Sequence, residues 1–129
     1  MASPTILLVD DDVAVLALLS NMLNRFGYVV AGASNSQAAI DYVTGTRNRF
    51  DAIVTDLAMP GINGMEFLAL AKKTFPDVPV MIMTGHMEQR TIDEALHLGA
   101  FAYLTKPLDF QEFTSTIERA LRPTVKTSR

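Results

Sequence analysis

The sequence contains no cysteine, which excludes a disulfide framework, thiolate metal sites and cysteine nucleophiles. It also lacks a long apolar run. Runs such as residues 6–9 and 78–83, and even the seven apolar residues 13–19, are far short of the ~20 residues that a membrane span needs. Met1-Ala2-Ser3-Pro4 holds no basic segment ahead of an apolar one, so the start does not read as a secretory signal. Positive charge is scarce, with 11 Lys and Arg against 14 Asp and Glu and a formal net charge of −3. Arg47, Arg49, Lys72 and Lys73 are dispersed and form no stripe, so nucleic acid is not expected as a direct ligand. Glycine and proline are few, and the chain is 49% hydrophobic and 19% charged, values that exclude disorder, collagen and coiled coil. What remains is a soluble, cytoplasmic chain of 129 residues, about one domain in length. A domain of that size buries roughly two thirds of its surface and folds without staples.

Short apolar runs alternate with longer segments of helical period. The runs are Ile6-Leu7-Leu8-Val9, Tyr28-Val29-Val30-Ala31, Ala52-Ile53-Val54-Thr55, Val80-Met81-Ile82-Met83 and Phe101-Ala102-Tyr103-Leu104. Consecutive apolar residues without alternation suit strands buried on both faces. Between them, Leu16, Leu19, Leu23 and Phe26 share one helical stripe, stopped by Gly27. Ser34 with Gln37, Asn63 with Glu66, and Asp109 with Glu112 have capping-box spacing. A fourth helix is expected over about 88–98, closed by Gly99, and Phe110, Phe113, Ile117 and Leu121 form the stripe of the last one. Pro123 marks where that helix should end in a polar tail or the start of a linker, at 123–129, leaving 1–122 as the domain. Five β-α units in succession predict an α/β fold, a parallel sheet with helices on both faces. Its ligand crevice lies at the carboxyl ends of the strands.

The polar residues gather at that edge. The first strand ends in Asp10-Asp11-Asp12, the third in Asp56, the fourth in Thr84, and the fifth runs through Tyr103 to Lys106-Pro107. Taken singly, Asp12 suits a helix cap, Asp56 a turn ahead of Pro60-Gly61, and Lys106 a solvated charge. Together, Asp10, Asp11 and Asp56 would repel, and one would take up a proton unless a cation intervened. Magnesium answers that need with hard oxygen ligands. A carboxylate beside it can attack phosphorus, with Lys106 and Thr84 neutralising phosphoryl oxygens.

Ile6-Leu-Leu-Val-Asp-Asp-Asp12, Thr55-Asp-Leu-Ala-Met-Pro-Gly61, Met83-Thr-Gly85 and Tyr103-Leu-Thr-Lys-Pro107 resemble the receiver domain of bacterial two-component response regulators over about residues 5–122. The resemblance implies a flavodoxin-like doubly wound sheet of order 2-1-3-4-5 with five helices. It implies that Asp56 accepts a phosphoryl group from a phosphohistidine on a sensor histidine kinase or a histidine phosphotransfer protein. Asp10, Asp11, Asp56 and the backbone carbonyl of Ala58 would hold Mg2+, or Mn2+ in its place, Asp10 largely through water. Lys106 would pair with the phosphoryl group, and its bond to Pro107 would be cis. Thr84 and Tyr103 would report phosphorylation by coupled movement to an output face on the fourth helix, fifth strand and fifth helix. Ala58 and His86 would flank the path of the water that hydrolyses the acyl phosphate. Such a domain is a regulatory phospho-acceptor, with no turnover beyond its own phosphorylation and dephosphorylation.

Two other readings remain at this point. A haloacid-dehalogenase-type phosphatase would use Asp10 and Asp12 as its Asp-x-Asp, but it lacks a final strand ending in an acidic pair and leaves Asp56 without a role. A pseudo-receiver would bind partners without being phosphorylated, and has no chemical need for Asp56, Lys106 and Thr84 together. Met81, Met83 and Met87 read as core filler, and His97 as a partly exposed helix residue.

Overall fold

The computed structural model describes residues 3–45, 48–61, 63–85 and 89–122. The elements run β1 (Thr5–Val9), α1 (Val13–Arg25), β2 (Val29–Ala33), α2 (Ser36–Thr44), β3 (Ala52–Asp56), α3 (Gly64–Thr74), β4 (Val80–Thr84), α4 (Gln89–His97), β5 (Ala102–Thr105) and α5 (Phe110–Leu121). The five strands form one parallel sheet of order β2-β1-β3-β4-β5.

Side chains alternate across a strand, and here both faces are dry. Leu7, Val9, Ile53, Val80 and Ile82 pack with Ala39 and Val43 of α2, Phe67, Leu68 and Ala71 of α3, and Ala95 of α4. Ile6, Leu8, Ala52, Val54, Met81 and Met83 face the other way, against Leu19 and Leu23 of α1 and Phe113 and Ile117 of α5. Each fully buried Val, Leu, Ile, Phe or Met among them contributes about 1.5–3 kcal/mol of transfer free energy. Met81 and Met83 are core residues, as expected; Met87 lies outside the described residues.

Burial on both faces holds for β1, β3 and β4 but not for β2 and β5. Those two are the sheet edges, so their flanks reach solvent and their apolar runs are offset from the observed strands by one or two residues. Two stripe positions are corrected for a related reason. Phe26 is 52% exposed and Phe110 46% exposed, because each sits at the end of its helix, past the last turn that packs on the sheet.

The helix starts follow their caps. Asp12, Asn63 and Asp109 accept backbone N–H groups of the first turns of α1, α3 and α5, which satisfies donors that a helix start leaves unpaired. The expected cap at Ser34 is displaced by one. Asn35 caps α2 instead, its Oδ1 accepting from the Ala38 N–H at 2.8 Å, and either side chain suits that role by type. Gly27 and Gly99 close α1 and α4 with φ of 91° and 106°, backbone that glycine adopts without penalty. The tail from Pro123 lies outside the described residues.

Candidate functional site

The register brings the acidic residues to one level. Val9 of β1 lies opposite Thr55 of β3, so the next residues, Asp10 and Asp56, emerge side by side at the carboxyl ends of two central strands. Across β4, Thr84 lies opposite Thr105, which sets Lys106 one step beyond the edge. The Lys106 N–H donates to the Thr84 carbonyl at 3.0 Å, and the Lys106–Pro107 peptide is cis.

From there the Lys106 ammonium donates to both carboxylates, at 2.9 Å to Asp10 Oδ2 and 2.7 Å to Asp56 Oδ2. The second oxygen of each carboxylate is held alike. Asp10 Oδ1 accepts from the Asp12 N–H, and Asp56 Oδ1 from the Ala58 N–H, both at 2.9 Å. Asp10 is fully buried and Asp56 is 6% exposed. Carboxylates removed from water to that extent need such partners. Burial draws the Lys106 ammonium toward neutrality. The hydrogen bonds to Asp56 and Asp10 and the charges behind them outweigh that, so its pKa lies above the ordinary lysine value.

Oxygen atoms of Asp10, Asp11 and Asp56 all lie within 4.8 Å of one another. Asp11 is exposed and opens the cluster to solvent. A carboxylate offers about four acceptor sites, so Asp10 and Asp56 keep unused ones beside their two hydrogen bonds. Hard oxygens, one open side and a surplus of negative charge fit a small divalent cation that retains waters.

Of the other expected site residues, Thr84 is buried at the end of β4, while Tyr103 on β5 is 42% exposed. Ala58 is exposed and carries no polar side chain. His86 lies outside the described residues. His97 is exposed in the last turn of α4. Lys106, expected from the sequence to pair with a phosphoryl group, also bridges Asp10 and Asp56. The signal was the register: a lysine one step past β5 is within a side chain's reach of two strand-end carboxylates.

The chain as a whole is similar to known proteins. The family model of the response regulator receiver domain matches residues 6–118. Sporulation initiation phosphotransferase F of Bacillus subtilis (strain 168) is 34% identical over 121 residues, which are 94% of this chain and 96% of that protein. The transcriptional regulatory protein ZraR of Escherichia coli O157:H7 is 40% identical over 120 residues, 92% of this chain and 26% of the regulator. This chain thus spans about a quarter of the length of the transcriptional regulators it matches. The crystal structure of a response regulator receiver domain protein from Clostridium thermocellum superposes with a TM-score of 0.84 at 34% identity, covering 92% of this chain and 94% of that one.

Proposed function

The chain belongs to the response regulator receiver domain family, and we propose on that footing that residues 1–122 act as a phospho-accepting switch with Asp56 as the acceptor. The observation that carries this reading is the placement of Asp56. It ends a central strand, is nearly but not fully buried, and lies 2.7 Å from the Lys106 ammonium. In the reaction, a carboxylate oxygen of Asp56 forms a bond to phosphorus as the nitrogen–phosphorus bond of a phosphohistidine breaks. The electron pair leaves with the imidazole. Negative charge on the transferring oxygens is met by the Lys106 ammonium, which is already at the site and held in its charged form by Asp10. The Thr84 hydroxyl adds a donor on the same edge. The donor protein would be a sensor histidine kinase or a histidine phosphotransfer protein, in the cytoplasm.

Asp10, Asp11, Asp56 and the Ala58 carbonyl are the residues we assign to a magnesium ion. Bound there, it supplies positive charge that offsets the repulsion of three carboxylates and screens incoming phosphoryl oxygens. Drawing the Thr84 hydroxyl toward a phosphoryl group would free space for the exposed Tyr103 ring to turn inward and reshape the face of α4, β5 and α5. A few kcal/mol suffices to shift such a two-state element. As an acceptor for haloacid-dehalogenase chemistry, Asp10 is less well suited than Asp56, because it is fully buried whereas Asp56 keeps a small exposed edge.

Incubation with acetyl phosphate and magnesium should add one phosphoryl group by intact mass, lost on treatment with hydroxylamine, which cleaves acyl phosphates. No mass gain at saturating donor and magnesium would overturn the reading. Magnesium should also raise the melting temperature by mass action. At about ten times its Kd the gain is ~1.4 kcal/mol, and Asp11→Asn should lose most of it. A wild-type melting curve indifferent to millimolar magnesium would contradict the assignment.

The phosphoryl group should be long-lived, because the exposed Ala58 side chain cannot hydrogen-bond an attacking water. Ala58→Asn is expected to speed first-order dephosphorylation about tenfold, ~1.4 kcal/mol of barrier. Equal decay of the two proteins at fixed magnesium would refute this account of lifetime.

A further inference from the structure

Among the described residues, the loop after Asp56 is fastened at its start and again further on, the second time by a helix that contributes none of the site residues named above. At its start, the Leu57 N–H donates to the Met83 carbonyl at 3.0 Å, and the Ala58 N–H to Asp56 Oδ1 at 2.9 Å. Met59 then turns inward among the buried side chains of α2 and α3. Beyond it, the hydroxyl of Ser36, the first residue of α2, donates to the Pro60 carbonyl at 2.6 Å. Gly61 fits the same contact. Its φ is +90°, and a Cβ there would lie 3.0 Å from Ser36 Oγ. The helix and the loop therefore meet at close range, hydroxyl to carbonyl.

We propose that Ser36 is a positioning residue for the phosphorylation site: through Pro60 it holds the Asp56–Ala58 turn in the conformation that serves divalent-cation binding. This rests on the reading of Asp56 and Ala58 given above. The physical argument is leverage. Ala58 lies two residues from Pro60, and it carries both the N–H that orients Asp56 and the carbonyl assigned to the cation. An anchor at Pro60 limits how far that short stretch can swing. Loss of a group that orients a metal ligand from behind typically costs about 10–100-fold in metal affinity. The N-cap of α2 is already supplied by the Asn35 side chain, so Ser36 is not needed to start the helix. Its hydroxyl is spent on the loop.

The test compares wild type, Ser36→Ala, Ser36→Thr and Thr44→Ala. Thr44 is the control: it makes the same kind of bond, to the Ile40 carbonyl at 2.8 Å, at the far end of α2. Two readouts are taken: the magnesium concentration that half-saturates the rise in melting temperature, and the exchange rate of the Ala58 amide in metal-free protein. Ser36→Ala should need severalfold more magnesium and exchange the Ala58 amide severalfold faster. Its final phosphoryl incorporation at saturating magnesium should be unchanged. Ser36→Thr should behave like wild type if the hydroxyl is what matters, and Thr44→Ala should shift neither readout. A Ser36→Ala protein matching wild type in both would overturn the proposal. So would a Thr44→Ala protein that shifts as far, since the effect would then be general loosening of α2. A wild-type protein with no magnesium response at all would instead strike the underlying assignment of the site.

Discussion

Asp56→Asn should abolish phosphorylation, lowering the initial rate of phosphoryl incorporation at least about a hundredfold. The carboxamide keeps the shape of the side chain and can still accept from the Ala58 N–H, so the turn should survive. It loses the anionic oxygen that attacks phosphorus. Neither neighbouring carboxylate can replace it. Asp10 is fully buried, without the small exposed edge that Asp56 keeps. Asp11 is exposed and makes no ion pair with Lys106. A time course of intact mass measures the effect, and incorporation at comparable yield in the variant would remove Asp56 from its proposed role.

Lys106→Met should damage both stability and chemistry. The methionine preserves much of the side chain's length and apolar stem but leaves Asp10 and Asp56 without the ammonium that both now contact. Removing one partner of a buried charged cluster leaves the others uncompensated. Lys106 is only partly buried, so the expected loss is about 1–3 kcal/mol, several degrees of melting temperature in metal-free protein. Adding Asp10→Asn should recover part of that, because it removes one stranded charge. The rate of phosphorylation should fall about 10²–10³-fold, the usual effect of deleting one group that meets developing negative charge. The pH dependence has a definite sign. The folded-state pKa of Lys106 lies above the ordinary lysine value of 10.5, so its contribution is complete below that pH. The gap between wild type and variant should hold from neutral pH to about 10 and close only as the pH rises through the raised pKa. Thermal melts of both proteins across that range measure it, and a gap that is absent at neutral pH would contradict the pairing.

The central strands were legible because they are buried on both faces, which writes an unbroken apolar run into the sequence. The edge strands carry a weaker signal. Val29 and Phe101 look like core by type, yet both are exposed, one on β2 and the other just ahead of β5. Capping at Asn63 and Asp109 was readable because a single acceptor side chain stood at the right spacing, and at Asp12 because it was the last of three before the apolar stripe. At α2 the choice lay between Ser34 and Asn35, which composition alone does not resolve. In the site, the strand-end carboxylates were visible as soon as the strands were placed. The contact between Ser36 and Pro60 was not, since it joins residues 24 apart in the chain through a helix start and a turn that neither periodicity nor motif connects.

An acyl phosphate can be trapped where it forms. Treatment of the phosphorylated protein with borohydride reduces a phosphorylated aspartate to homoserine, and peptide mass spectrometry then identifies the residue. The account predicts homoserine at position 56 alone, dependent on both the phosphoryl donor and magnesium. Homoserine at 10, 11 or 12 in place of 56 would contradict it.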